Sequence, residues 1–496
     1  MKIIIFVLLI IYPIWCTSQT NELPRATPQS QGVSNKQLHN MFDSLMSLPD
    51  TEIHSVMVAR HGKVIGEMYP RPFTSESMHT LYSCSKTFVG AAIGIAIAEN
   101  RLRLSDRIAT LLPEYLPQEI TANLASITVR DLLTMSSGIT PDWDMRNKGK
   151  DWAVQYLSKE VSTPGTKFQY DSICSYLLSV IIQKVTGQTT LNYLKEKIFT
   201  PLHINEVDWE LSPEGYNTGG WGLRLQSESM MKFGLLLLNK GNWNGEQLIP
   251  ESWIKEMTSK QFEAGNEDYG YQMWLCDYPG AIRADGAYGQ YIILYPPEDI
   301  VVVVTQCSLI NGMIPRHIIY NNLFKSPNGK QFNKKEEDNE LTSQQQQYTL
   351  QLLKGEKDSH LIKRIENKTI KLNNNSLGWE TIKIAQGDKK LYIYITDKNA
   401  EVTKLSLNHA KWTENIVNTK PPYSIQAVGR YNGIKGPFNV ATSYAWNKNN
   451  LVIQIQYTDW ISGLQIKFSE IKKRTCRLTI KCNYSSNPIE LICTMI

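Results

Sequence analysis

The sequence predicts an α+β region followed by a separate all-β domain, and three observations carry that prediction. At 496 residues the chain is longer than one domain of about 150 residues. Helix-like and strand-like segments alternate in the first two thirds of the chain, whereas the last third has a period of two almost throughout. The 42% apolar and 20% charged residues are typical of globular proteins and argue against disordered, collagen-like or coiled-coil chains.

The first region, predicted to span residues 24–327, contains both kinds of element. Apolar residues at helical spacing predict helices over residues 87–98, 129–135 and 173–185. Runs rich in β-branched residues predict strands over residues 56–60, 291–294 and 301–305. These elements alternate along the chain, so the region is expected to pack helices against a sheet.

The second region, predicted to span residues 348–496, follows a linker. Residues 328–347 lose the hydrophobic period and are charged and rich in glutamine, a linker composition. Beyond them, apolar residues recur at alternate positions, as in Leu391/Ile393/Ile395, Leu451/Ile453/Ile455, Leu464/Ile466/Phe468 and Leu478/Ile480/Cys482. This pattern predicts a β-sandwich or barrel.

Residues 1–18 are predicted to be a signal peptide. Lys2 precedes an apolar run over residues 3–15, which is shorter than the about 20 residues that span a bilayer. Small residues favour cleavage after Ser18. Cys16 offers lipid anchoring as an alternative, although the bulky Trp15 before it disfavours a lipidation site. No later segment is apolar enough to cross a membrane, so we expect a periplasmic or secreted protein.

Composition also argues against several classes of partner. The net charge of +5 comes without a dense Lys/Arg stripe, so we expect no nucleic-acid binding. Neither the histidines nor the cysteines have zinc-ligand spacing, and we predict neither a metal nor a cofactor. Cys476, Cys482 and Cys493 are close enough in sequence for one disulfide, but the sequence does not choose the pair.

Ser83 and Lys86 form the most informative motif. They precede a helix that carries no charge over residues 87–98 and is therefore expected to be buried. Ser83 could simply cap that helix, but a capping box would place Glu or Gln three residues later. A cation there opposes the helix dipole at a cost of about 0.3–1 kcal/mol. Because residues i and i+3 share a helix face, Lys86 is instead predicted to take a proton from the Ser83 hydroxyl.

Two further segments supply candidate partners. Tyr170 and Ser172 precede a predicted helix, where Tyr170 would shuttle protons and Ser172 would donate a hydrogen bond nearby; a hydrophobic staple and N-cap is the alternative. Gly286 lies ahead of a predicted strand and permits another backbone or a ligand to approach closely. This strand edge could supply one backbone N–H of an oxyanion hole, with the Ser83 N–H as the other. A plain hairpin turn is the alternative there. Trp221, between glycines, is a candidate for the substrate pocket.

In this order the Ser-x-x-Lys, Tyr-x-Ser and x-x-Gly motifs resemble those of the serine β-lactamase and penicillin-binding-protein superfamily. The pattern is most similar to its class C-like branch, which includes esterases, D-amino peptidases and aminohexanoate-dimer hydrolases. Residues 132–138, 219–223 and 232–245 extend the resemblance, which covers about residues 25–325.

The resemblance implies an antiparallel sheet flanked by helices, with a helical lobe beside it. It also implies that Ser83 is the acylated nucleophile, that Lys86 is its partner, and that Tyr170 is the general base in acylation or deacylation. The Ala287 N–H would be the second oxyanion donor, and Ser172 would contact substrate. Gly286 and Trp221 are predicted substrate contacts on the local sequence alone, because glycines permit close approach of a ligand.

The chain departs from the family pattern at two positions. Ser172 stands where Asn is most frequent, and Ala284 where many members have Lys or His. That cation engages a substrate carboxylate, so its absence argues against recognition of β-lactams and D-Ala-D-Ala. Arg283 is adjacent, but strand alternation would point it to the other face.

We therefore expect a serine hydrolase that cleaves an ester or amide of a small or peptide-like substrate. A β-lactamase or D,D-peptidase is the nearest alternative, and a non-catalytic envelope sensor or binding scaffold is a further one. The C-terminal β-domain is expected to dock on the first domain, to bind glycans or only to stabilise the chain.

Overall fold

The computed structural model describes residues 22–324, 348–387 and 390–496. Residues 22–324, here the N-terminal domain, are built on an eight-stranded antiparallel sheet with the order β2-β1-β13-β12-β11-β10-β9-β8. Its strands, together with five that lie outside this sheet, are β1 (Thr51–Arg60), β2 (Lys63–Met68), β3 (His79–Thr80), β4 (Val207–Trp209), β5 (Leu223–Leu225), β6 (Asn242–Trp243), β7 (Glu246–Gln247), β8 (Phe262–Ala264), β9 (Glu267–Tyr269), β10 (Trp274–Leu275), β11 (Ile282–Gly286), β12 (Gln290–Tyr295) and β13 (Ile300–Ser308).

Helices cover both faces of this sheet. They are α1 (Asn35–Met46), α2 (Ser85–Ala98), α3 (Ile108–Leu111), α4 (Ala122–Ser126), α5 (Val129–Leu133), α6 (Met145–Lys148), α7 (Trp152–Leu157), α8 (Ser172–Thr186), α9 (Thr190–Leu194), α10 (Ser227–Leu238), α11 (Glu251–Met257) and α12 (Met313–Leu323). Helices α1 and α12 pack on one face, while α10 packs on the other and α2, α5 and α8 form a helical lobe beyond it. The predicted α+β class is confirmed.

The continuous apolar runs of the sequence explain this arrangement. Helix α2 is buried along almost its whole length, because it lies inside the lobe against α8. Strand β13 is buried at every position, because it is central to the sheet and helices cover both of its faces. The helices and strands predicted from periodicity are present, with ends shifted by a few residues.

The C-terminal region is all-β. One ten-stranded antiparallel sheet has the order β17-β16-β15-β14-β23-β22-β21-β20-β19-β18. Its elements are α13 (Ile362–Ile365), β14 (Thr369–Lys371), β15 (Trp379–Gln386), β16 (Leu391–Asp397), β17 (Val402–Leu407), β18 (Thr413–Val417), β19 (Phe438–Asn447), β20 (Asn450–Tyr457), β21 (Gly463–Ser469), β22 (Thr475–Cys482) and β23 (Ile489–Met495). Asn415 of β18 accepts hydrogen bonds from the backbone and hydroxyl of Ser406 of β17, which brings the two ends of the sheet together. The result is barrel-like, one of the two predicted forms.

The two regions are in contact. The backbone of Arg71 exchanges hydrogen bonds of 2.9 and 2.7 Å with Tyr348 and Leu350, at the start of the second region.

The predicted signal peptide, with Cys16, and the predicted linker over residues 328–347 lie outside the described residues. Across the described ranges, no helix combines the length and apolar character needed to cross a membrane.

Candidate active site

Ser83 lies in a single 3-10 turn, Tyr82–Cys84, that runs directly into α2. The helix begins at Ser85 and has Cys84 as its N-cap without a capping side chain, so Ser83 does not cap it. Lys86 lies in the first turn, and its Nζ donates to Ser83 Oγ over 2.9 Å. The i, i+3 spacing therefore places the two groups together, as predicted from the sequence.

The Lys86 amine is enclosed by oxygen atoms. Besides Ser83 it donates to Ser172 Oγ at 2.8 Å and to the Gly220 carbonyl at 2.7 Å, and only 1% of the residue is exposed. Burial lowers the pKa of Lys86 to about 7, because the interior disfavours the charged form more than the nearby Asp171 favours it. A substantial fraction of the amine is therefore neutral near pH 7 and able to accept a proton.

Tyr170 completes this group from the turn before α8. Lys86 Nζ lies 4.9 Å from the Tyr170 ring centroid, and Ser83 is near enough to the Tyr170 side chain to influence its pKa. Asp171 is the N-cap of α8 and accepts a hydrogen bond from the Ile173 N–H, which fixes the turn. Burial raises the pKa of Tyr170 well above its ordinary value, so the group is a phenol and not a phenolate at neutral pH.

The end of β11 packs against the turn that carries Ser83. A Cβ on Gly286 would lie 2.3 Å from the Leu81 carbonyl oxygen, so only glycine permits this approach. The next residues form a tight turn closed by a 3.0 Å hydrogen bond from the Gly289 N–H to the Gly286 carbonyl. Ala287 is exposed in that turn, and its N–H does not take part in the closing bond. The segment is thus both a hairpin turn and a neighbour of the nucleophile.

Residues 47–315, more than half of the chain, match the sequence profile of the family named Beta-lactamase. The chain belongs to the beta-lactamase family. This membership confirms the resemblance read from the motifs and the predicted enzyme class, a serine hydrolase related to β-lactamases.

Several known proteins are similar to this beta-lactamase-family chain. It is 22% identical to a 6-aminohexanoate-dimer hydrolase of Paenarthrobacter ureafaciens, over 58% of this chain and 81% of the relative. It is 26% identical to protein flp of Staphylococcus aureus, over 35% of this chain and 38% of flp. The solved structure of EstCE1, a hydrolase with promiscuous acyltransferase activity, covers 60% of this chain and 99% of its own, with a TM-score of 0.50 and 16% identity. That likeness shows the fold.

Two residues predicted to contact substrate in this family member are buried. Ser172 is 2% exposed and accepts the hydrogen bond from Lys86. Trp221 is also 2% exposed, and its ring lies 5.8 Å from that of Trp152 and 4.8 Å from the Arg146 guanidinium. Substrate contact by either residue stays a prediction, as does contact by Gly286.

The structure agrees with the sequence argument at position 284, where many family members have Lys or His and this chain has Ala284. Ala284 is buried in the core shared with the helical lobe. Arg283 is paired with Glu267 at 2.7 Å and Asp285 at 2.7 Å. Its guanidinium is therefore committed to carboxylates and does not replace the cation that many members have.

Gly220 is the site residue that the sequence did not single out. Its carbonyl accepts from Lys86, and a Cβ at Gly220 would lie 2.6 Å from the Ser172 Cβ. The stretch over residues 219–223 entered only as part of the resemblance, and nothing in it signals a carbonyl aimed at a lysine.

Within the described ranges, no three His, Cys, Asp or Glu side chains are grouped as metal ligands would be.

Proposed function

We propose that the protein cleaves an ester or amide bond through an acyl-Ser83 intermediate. The observation that carries this proposal is the 2.9 Å hydrogen bond between Ser83 Oγ and a buried Lys86 amine whose pKa is lowered to about 7. An amine with that pKa is matched to general-base work near neutral pH.

In acylation, neutral Lys86 takes the proton from Ser83 as Oγ bonds to the substrate carbonyl carbon. The negative charge that develops on the carbonyl oxygen is stabilised by the N–H groups of Ser83 and Ala287. Tyr170, a phenol beside Ser83, donates its proton to the leaving group and regains one from the Lys86 ammonium. In deacylation Lys86 and Tyr170 activate a water molecule, which attacks the carbonyl carbon of the acyl-Ser83 ester. The acid is released and the Ser83 hydroxyl is regenerated.

The preferred substrates are proposed to be small esters or amides that lack a carboxylate beside the scissile bond. Ala284 offers no cation to such a carboxylate, and Arg283 is occupied by Glu267 and Asp285. The 6-aminohexanoate dimer named for the Paenarthrobacter relative and the hydrolase activity named for EstCE1 fit this class. Hydrolysis of a panel of p-nitrophenyl esters, D-amino amides and β-lactams, by the wild type and by Ser83→Ala, tests the proposal. Turnover that persists in Ser83→Ala would exclude it.

A β-lactamase or D,D-peptidase is the second candidate, favoured by the family match. Intact-mass measurement after addition of benzylpenicillin distinguishes it, because only this candidate predicts rapid formation of a penicilloyl adduct on Ser83. A protein that neither turns over the panel nor forms any acyl adduct would instead be a non-catalytic sensor or scaffold.

We also propose that the chain is exported, with residues 1–18 removed. The argument is the short apolar segment after Lys2. The mature protein isolated from its native cell should begin at Gln19 by N-terminal sequencing. A mature N-terminus at Cys16 that carries acyl chains would favour the lipid anchor.

A further inference from the structure

Residues 421–435 of the C-terminal region, here the strap, leave the β-sheet between β18 and β19 and lie on the N-terminal domain. Several hydrogen bonds tie the strap down, among them three between residues 428 and 432. The Leu211 N–H donates to the Asn432 carbonyl at 2.7 Å, the Val428 N–H donates to the Arg146 carbonyl at 2.8 Å, and the Tyr431 N–H donates to Glu210 Oε1 at 2.6 Å. The strap is therefore bound along its length and not only at one point.

The start of the strap reaches the two residues beside the proposed oxyanion donors. Tyr82 precedes Ser83 and Tyr288 follows Ala287, and their rings pack edge to face with centroids 5.4 Å apart. Ser424 Oγ lies 2.8 Å from the Tyr82 hydroxyl. Burial raises the pKa of Tyr288, and the nearby Ser424 opposes that rise. Ser424 of the C-terminal region is thus bonded to Tyr82, whose ring packs against Tyr288 on the other side of the proposed oxyanion hole.

Both tyrosines have backbone conformations that need external support. Tyr82 has φ 47° and Tyr288 has φ 63°, in the left-handed region that bulky residues rarely adopt. Such conformations persist only where the surroundings fix them. The Tyr423 ring, 5.9 Å from that of Tyr82, and the hydroxyl of Ser424 supply part of this support from the strap.

We propose that Ser424 is a positioning residue for the oxyanion hole, so that the C-terminal domain completes the active site. It acts through Tyr82 and Tyr288, whose rings set the directions of the adjacent Ser83 and Ala287 N–H groups. This inference rests on the proposed function, because it assigns a support to the same hole. It gives the C-terminal domain a role in catalysis that the family match over residues 47–315 does not include.

Ser424→Ala in the full-length protein is the test, read as the kcat and KM of ester hydrolysis and as the rate at which a fluorophosphonate labels Ser83. Loss of one oxyanion donor costs about 10²–10³ in kcat, so a donor moved off its position should cost at least about tenfold. KM should stay near the wild-type value, because the hole engages the transition state more strongly than the substrate. Labelling of Ser83 should slow in parallel.

Two further variants test the route through the tyrosine. Ser424→Thr keeps a hydroxyl and should retain most of the wild-type kcat. The kcat of the double variant Tyr82→Phe/Ser424→Ala should be no lower than that of Ser424→Ala alone, because both changes remove the same hydrogen bond.

The matched control is Asn483→Ala. Asn483 also bridges the two domains, donating to Glu52 Oε2 at 2.7 Å, but it has no contact with Tyr82 or Tyr288 among the described hydrogen bonds. Its kcat should equal that of the wild type. A wild-type kcat in Ser424→Ala, or an equal loss in Asn483→Ala, would overturn the inference. Turnover by Ser83→Ala would instead overturn the proposed function.

Discussion

At the scale of single residues, Lys86 controls the chemistry through its charge. If the neutral amine is the base, kcat/KM for ester hydrolysis should fall about tenfold per pH unit below pH 7, where Lys86 is protonated, and level off above it. The sign follows from burial, which lowers the pKa and so makes the active form available at neutral pH. The profile is measured from pH 5 to 9.

The exposed Lys184 provides the control for this profile, because it is paired with Glu114 and lies in the last turn of α8, at the opposite end of that helix from Ser172. Lys184→Met should leave the midpoint near pH 7 unchanged. A profile that is flat between pH 5 and 8 would contradict Lys86 as the base.

Gly286 makes a second prediction at this scale. In Gly286→Ala the new Cβ would lie 2.3 Å from the Leu81 carbonyl oxygen. The Leu81 backbone cannot move away without displacing the turn that carries Ser83. Stability should fall by about 1–3 kcal/mol, and kcat should fall with it. Urea unfolding and ester hydrolysis measure the two effects.

Gly149→Ala is the matched control for crowding alone. Its Cβ would lie 2.4 Å from Gln155 Nε2, the free end of a flexible side chain that can move away. Stability and kcat should stay near the wild-type values. An equal loss in both variants would mean that any added methyl group near this distance is costly.

At the scale of elements, strand pairing makes the choice among cysteines that sequence alone left open. Cys476 of β22 lies directly opposite Cys493 of β23, whereas Cys482 lies opposite Leu464. Opposite residues of antiparallel strands are at a Cα separation that a disulfide can span. Oxidative refolding with glutathione disulfide should therefore join Cys476 to Cys493, with the loss of two hydrogen atoms to the reagent.

Peptide mapping under non-reducing conditions identifies the bridge, and Cys482→Ser should form it as readily as the wild type. A bridge from Cys482 to either of the other two would contradict the register of these strands.

At the scale of the whole molecule, Arg224 holds the two domains together. Its Nε donates to Asp208 at 2.8 Å, and its Nη atoms donate to the carbonyls of Lys435 at 2.9 Å and Asp459 at 3.3 Å. Arg224→Met would leave the buried Asp208 carboxylate without its guanidinium. The free energy of unfolding should fall by about 3–5 kcal/mol, measured by chemical denaturation of the full chain.

The exposed pair of Lys240 and Glu251, 2.8 Å apart, provides the comparison. Because both side chains are solvated, Lys240→Met should change stability by about 0–1 kcal/mol. Similar losses in the two variants would mean that Arg224 contributes no more than a surface ion pair.

The sequence by itself determined what depends on neighbours along the chain. Period two identified the C-terminal strands, and the i, i+3 spacing placed Lys86 beside Ser83, because both patterns act over a few residues. Only the tertiary structure decided the rest. The Gly220 carbonyl on Lys86, the approach of Gly286 to Leu81 and the reach of Ser424 to Tyr82 join residues more than a hundred positions apart, and such contacts arise from packing that no local pattern encodes.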